Sequence, residues 1–350
     1  MIPRVGILGA GNISDTHARA AAAVPDGRVV AVCGQNEQKA RDLASRFGAT
    51  AYTDVAAFLR HRPMNIVAIG SPSGLHGAQA VAAAAQGLHL LIEKPLEISV
   101  ARATEVIDAA ETAGVQAAIC FQDRANPRLA AVKQAIANRL IGRPLLVNAR
   151  VRWYRPPEYY ARSRWRGTWE LDGGGALMNQ GVHTVDLLLW WLGDVVRVSA
   201  RTATLQHQID VEDTAIAWLE FANGAFGTLE ATTAAYPGYP RRVEVTGSEG
   251  TIVVEHDRVV ACDVRDPASH DAAAALLDSS GADTNRSSDS PVVSDAAGHQ
   301  RLLQDLIDAI AAGRLPLCDA REGRRSVALV EAIYESARFG GRTVEVVSGQ

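Results

Sequence analysis

The sequence predicts an α/β protein of two domains. Residues 1–121 form a Rossmann dinucleotide-binding domain, and 122–350 an α+β domain with an open, mostly antiparallel sheet for substrate binding and oligomerisation. Three observations predict it. The first 121 residues alternate short apolar runs with Ala-rich stretches of helical composition, the pattern of consecutive βαβ units. The opening run ends in a glycine-rich turn. After Leu145 the extended runs are separated by tight turns such as Asn223-Gly224 and Ser248-Glu249-Gly250. Turns of that kind join antiparallel neighbours, because parallel strands need long crossovers. A length of 350 residues suits two domains at roughly 150 residues each.

Taken in order, Val5–Leu8, Val29–Cys33, Ile66–Ile69, Leu88–Ile92 and Val115–Cys120 are continuously apolar, as strands covered by helices on both faces must be. Between them Ile13–Ala23, Glu37–Phe47, Leu75–Gln86 and Val100–Ala113 have helical composition and length. The second domain supplies extended runs at Leu145–Trp153, Val195–Thr204, Ala215–Phe221, Phe226–Thr232, Arg242–Val245 and Thr251–Glu255. Residues 266–297, rich in Ala, Ser and Asp, lack sustained periodicity and read as a long surface loop, partly disordered. Helical patterns resume at Gln300–Ala312 and Glu322–Arg338, and Thr343–Val347 reads as a closing strand.

Composition excludes several functions. The apolar share of 47% and charged share of 21% are those of a globular protein. A net charge of −4 without a dense Lys/Arg block lacks the footprint of a nucleic-acid binder, so a small molecule is the expected partner. The longest apolar stretches, Val81–Ala85 and Leu187–Leu192, fall far short of the ~20 residues of a membrane helix. The N-terminus has no basic region followed by a long apolar one, which points to the cytoplasm. Cys33, Cys120, Cys262 and Cys318 are scattered without metal-ligand spacing and read as buried or incidental thiols; no metal site is expected.

The first strand runs into Gly9-Ala10-Gly11-Asn12-Ile13-Ser14, a G-x-G-x-x-S variant of the dinucleotide fingerprint between a strand and a helix. Gly9 permits the tight turn, and Gly11 permits close approach of a pyrophosphate to the free N–H groups of the helix start. Ser14 replaces the third glycine with another small residue. At the end of the second strand, where a carboxylate would hold the ribose 2′-hydroxyl, stand Gly34 and the neutral Gln35. NAD and NADP are therefore not separated by the sequence.

Three further motifs accompany that turn: Ser71-Pro72-Ser73, Glu93-Lys94-Pro95 at the end of the fourth apolar run, and the stretch Asp172-Gly173-Gly174-Gly175-Ala176-Leu177-Met178-Asn179-Gln180-Gly181-Val182-His183-Thr184-Val185-Asp186. Together with Gly247-Ser248-Glu249-Gly250 they resemble the Gfo/Idh/MocA oxidoreductases, named for glucose–fructose oxidoreductase and inositol dehydrogenase. The resemblance implies a nicotinamide-dependent enzyme acting on a sugar, sugar derivative or cyclic polyol. It places Ser71, Pro72, Glu93, Lys94 and Gln122 along the cofactor, and Lys94 and His183 at the reacting hydroxyl. An imidazole suits a general base near neutrality, and an ammonium stabilises alkoxide character.

Asn179 precedes His183 by four residues, so in a helix both share one face. Members of the family often carry Asp there; an amide cannot accept the proton and serves only to orient substrate or His183. Tyr154, Trp165 and Arg166 lie in a segment of aromatic and Arg residues suited to sugar faces and anionic groups, or to a subunit interface. The resemblance also allows an NAD-dependent glycosidase that oxidises transiently, or a dinucleotide-sensing regulator without chemistry. A homodimer or homotetramer built on the open sheet is expected.

Overall fold

An apolar run is stable as a strand only where helices cover both faces, and the first runs of the chain become a parallel sheet. The computed structural model describes residues 1–278 and 295–347. Strand β1 (Arg4–Leu8) leads to helix α1 (Asn12–Ala23), β2 (Arg28–Cys33) to α2 (Glu37–Phe47), and β3 (Thr50–Tyr52) to α3 (Val55–Leu59). Strand β4 (Ile66–Ile69) leads to α4 (His76–Ala84), β5 (His89–Ile92) to α5 (Val100–Ala113), and β6 (Ala117–Ile119) closes the series. The strand order is β3-β2-β1-β4-β5-β6, so the order reverses between β1 and β4. Ligands bind at the carboxyl ends of the strands beside such a reversal. Side-chain caps fix two of the helix starts: Asn36 accepts from Lys39 N at 3.0 Å and Ser99 from Arg102 N at 3.4 Å.

The second unit begins with α6 (Pro127–Ala137), β7 (Pro144–Arg152) and α7 (Pro157–Ala161). A π-helical turn, Ala176–Gly181, runs into α8 (Val182–Leu192). Strands β8 (Val195–Ala203), β9 (Thr214–Phe221), β10 (Phe226–Thr232), β11 (Arg242–Gly247), β12 (Gly250–Glu255) and β13 (Arg258–Val264) follow, then α9 (His270–Asp278); α10 (Ala297–Ala312) belongs to the first unit, and α11 (Ala320–Arg338) and β14 (Val344–Glu345) come after it. Seven of these strands join β7 in the order β13-β12-β11-β7-β10-β9-β8-β14. Only β7 and β10 pair in parallel. Burial alternates along β9, with Ala215, Ala217 and Leu219 inward and Ile216 and Trp218 outward, so one face is packed and the other open.

Two expectations are corrected. Within 266–297, residues Pro267–Ser269 form a 3₁₀ turn and His270–Asp278 form α9, which buries Ala273 and Leu276 beside β13. The Ala-Leu content that lacked a long period suffices for two turns of packed helix; residues 279–294 of that stretch lie outside the described residues. The division of the chain also differs from a single cut after residue 121. Met1–Ala125 and Val292–Arg324 make one compact unit, Asn126–Pro291 and Arg325–Gln350 the other. The physical reason is apolar: Leu302, Leu303 and Leu306 of α10 are buried in the same core as Val5, Ile7, Ala18 and Ile66.

If α10 is integral to the first unit, Leu306→Ala should destabilise that unit by about 2–5 kcal/mol in denaturant unfolding, the range for a buried Leu truncation. A loss below about 1 kcal/mol would show that α10 is peripheral to this core.

Candidate active site

In the first unit the glycine turn is built from steric necessity. Gly9 adopts φ +129°, and a Cβ there would stand 2.6 Å from Ser14 Oγ and 2.7 Å from Gly70 O. Only glycine fits. Gly11 has an ordinary φ of −97° as the N-cap of α1, and a Cβ built on it would meet nothing within 4 Å. Glycine is thus not demanded there by the protein itself, and open space beside the N-terminus of α1 is what a pyrophosphate requires. Asn12 is exposed and Ile13 half-buried at the same turn. Ser14 explains its place: its buried hydroxyl accepts from Gly11 N at 3.3 Å. The residues present fit a dinucleotide.

Beyond β2, Gly34 packs so closely on Ala10 that a Cβ would lie 2.6 Å from the Ala10 Cβ. Gln35 follows it. Asn36 is occupied in capping α2, and Arg41 is ion-paired with Glu37.

The loops after β4 and β5 are tied together by His76, whose Nδ1 lies 2.8 Å from Pro95 O and whose Nε2 lies 2.9 Å from Ser71 O. Ser71 also donates to Gln79 Oε1 at 2.7 Å, and Pro72 precedes the 3₁₀ turn Ser73–Leu75. Lys94 is half-buried between Glu93 and Pro95. Glu93 is buried: its Oε1 accepts from His299 Nε2 at 2.9 Å and lies 3.0 Å from His17 Nε2, whose N–H is less well aligned. Burial opposes the charge of Glu93, but the two imidazoles outweigh it and hold the carboxyl well below the usual range. Burial pushes the Cys120 thiol up, with Glu93 adding to the effect, and lowers the pKa of His17. The donor atoms of His17, Glu93, Cys120 and His299 all lie within 4.8 Å of one another. No sequence signal links these four residues, which come from distant segments. Gln122 opens a 3₁₀ turn, Gln122–Ala125, past the end of β6.

In the second unit, the segment before α8 is organised by a residue that sequence reasoning missed. Glu212 accepts from Gly175 N at 3.0 Å, Leu177 N at 2.8 Å and the Tyr334 hydroxyl at 2.9 Å. Burial raises its pKa against the pull of those donors. Asn179 lies in the π-helical turn and His183 in the first turn of α8, so the regular α-helical spacing expected between them is replaced by a wider turn, with Gln180 N bonded to Gly175 O at 3.3 Å. The Asn179 amide donates to buried Asp172, and its carbonyl accepts from Gln180 Nε2 at 2.7 Å. Gln180 continues the chain to Tyr159 at 3.0 Å and to Arg155 at 2.9 Å. The Arg166 guanidinium covers the ring of Tyr159 at 4.4 Å and Trp165 at 5.0 Å. Tyr154 is set apart from this group, edge-on to Tyr236 at 5.2 Å.

Residues 3–121 match the oxidoreductase family with an NAD-binding Rossmann fold, and residues 129–253 match the GFO/IDH/MocA C-terminal domain. The WlbA dehydrogenase of Bordetella pertussis, solved with NADH and UDP-GlcNAcA, is 32% identical with a TM-score of 0.88, over 98% of this chain and 97% of that one. The chain belongs to the GFO/IDH/MocA oxidoreductase family. Other members include the levoglucosan dehydrogenase of Pseudarthrobacter phenanthrenivorans, 28% identical over 73% of this chain and 74% of its own, and the myo-inositol 2-dehydrogenase of Thermotoga maritima, 27% identical over 73% and 76%. NAD is the cofactor of the family's N-terminal fold. Among the described residues no helix is long and apolar enough to cross a membrane.

Because the space before Gly11 is open, Gly11→Val should leave the far-UV circular dichroism unchanged while weakening NAD binding by at least ~10²-fold. Unchanged affinity by calorimetry would move the pyrophosphate elsewhere.

Proposed function

We propose that this protein is an NAD-dependent dehydrogenase that oxidises a secondary hydroxyl of a sugar or sugar derivative. The observation that carries the reading is Lys94, on the loop that follows β5 at the carboxyl edge of a sheet whose glycine turn fits a dinucleotide. When bound, NAD accepts the hydride that leaves the alcohol carbon. His183 takes the hydroxyl proton, and the Lys94 ammonium stabilises negative charge on the oxygen as the proton leaves. Asn179 cannot take a proton; fixed through Asp172 and Gln180, it orients the substrate or His183 by hydrogen bonding.

The substrate class is narrowed by the second unit and by the relatives. Arg166 stacked on two aromatic rings offers a planar cation beside apolar faces, which suits a sugar ring bearing a carboxylate or phosphate. The complex of the WlbA dehydrogenase with UDP-GlcNAcA supports the same class. NAD is favoured over NADP by the match to an NAD-binding Rossmann fold and by the NADH complex of the WlbA dehydrogenase. We place the enzyme in the cytoplasm as a homo-oligomer. Leu146, Ile216, Trp218 and Phe226 are exposed on the open face of the eight-stranded sheet, with Trp218 and Phe226 stacked at 5.5 Å, and a second copy would cover them.

Purified protein should reduce NAD⁺ with at least one member of a panel of uronic acids, nucleotide sugars, neutral sugars and inositols. Lys94→Ala should lower kcat by at least ~10²-fold with NAD affinity nearly unchanged. His183→Ala should remove the ascending limb of the kcat–pH profile, whereas Asn179→Ala should keep it and raise KM. Near-normal turnover of Lys94→Ala, or a pH limb lost with Asn179 but kept without His183, would reverse these assignments. Free sugar released without net NADH would instead indicate a glycosidase.

A further inference from the structure

The loop that carries Lys94 is held by buried contacts on both sides of it. Glu93 is clasped by His17 and His299, Pro95 O is met by His76, and Glu97 accepts from Gly77 N at 3.3 Å and pairs with Arg102 at 2.8 Å. Glu93 and Pro95 both adjoin Lys94, and of these contacts only those of Glu93 place a charged group against two buried rings. Resting on the catalytic reading of Lys94, we propose that Glu93 is its positioning residue: pinned by His17, His299 and Cys120, the carboxylate fixes the loop that presents the ammonium.

Four buried donors of this kind could instead hold a metal ion. Distance decides against it. Zinc bound at about 2.0–2.1 Å in tetrahedral geometry separates its nitrogen and oxygen ligands by roughly 3.3 Å. Glu93 Oε1 stands 2.9 Å from His299 Nε2 and 3.0 Å from His17 Nε2, the spacing of direct N–H···O contacts. The rings meet edge to face, 5.1 Å apart and at 88°, so both Nε2 atoms converge on one oxygen without stacking. His299 Nε2 donates to that oxygen and His17 Nε2 lies beside it in poorer alignment, and together the two rings hold the carboxyl well below the usual range.

A charge buried with such partners resists displacement, because moving it leaves ions or donors unsatisfied. Lys94 inherits that rigidity through one peptide bond. Misplacement of a reacting group by about 1 Å can cost ~10²-fold in rate, and that is the effect expected here. Glu93 would then act on turnover without touching substrate.

The sequence contains only three lysines, Lys39, Lys94 and Lys133, so ¹³C-methylation of amines gives few NMR signals, and Lys94 is assigned by Lys94→Arg. In the cofactor-free protein, Glu93→Ala should move the Lys94 signal toward that of the exposed Lys39. With cofactor and substrate it should lower kcat by ~10²-fold, with KM changed less than about threefold. Glu93→Gln, which keeps an acceptor oxygen for one imidazole, should recover at least about tenfold of that loss and provides the folded comparison if the alanine variant unfolds. An unmoved Lys94 signal with kcat within threefold in either folded variant would overturn the proposal, as would one zinc per chain by elemental analysis of the wild type. If Lys94→Ala itself turns over normally, the catalytic reading fails; if only the Glu93 variants do, the positioning role alone fails.

Discussion

A carboxylate can be buried only if donors come to it, and Glu93 draws its donors from segments that are remote in the chain. His17 comes from α1 and Cys120 from the end of β6, while His299 comes from α10, 206 positions beyond Glu93. Truncating one partner of such a group typically costs about 3–5 kcal/mol, since the remaining charge stays buried. This constraint accompanies the apolar one set by Leu302, Leu303 and Leu306. Both require the chain to return to its first unit after building the second.

The second unit has a comparable device with the opposite electrostatic balance. Glu212 receives two backbone N–H groups and a tyrosine hydroxyl, neutral donors that lessen the effect of burial without overcoming it, so its pKa is raised. The two imidazoles around Glu93 reverse that sign and depress it. Each unit thus holds a buried glutamate, Glu93 next to Lys94 and Glu212 beside the turn before α8, with partners drawn from distant segments.

Much of the fold could be read from local pattern because parallel strands are apolar throughout and Ala-rich helices separate them. Strand β3 escaped that pattern: Thr50–Tyr52 is a three-residue edge strand, paired only with β2 and half-exposed. Helix α9 escaped because nine residues of mostly Ala and Leu carry little periodicity. Motif spacing singles out the glycine turn, Lys94, Asn179 and His183 as candidates. The company of Glu93 and the role of Glu212 were not legible there, since contacts between distant segments leave no mark on local spacing. The π-helical turn around Asn179 was hidden for a related reason: its amides answer to Glu212, more than thirty residues later.

Hydride transfer from a sugar carbon to NAD is the step on which the proposed function depends. It is tested most directly with a ring-deuterated sugar that the enzyme turns over, followed by mass spectrometry of the nicotinamide cofactor. One deuteron should appear on the reduced nicotinamide for each sugar oxidised. Conversion of the sugar with no deuterium reaching the cofactor would contradict it.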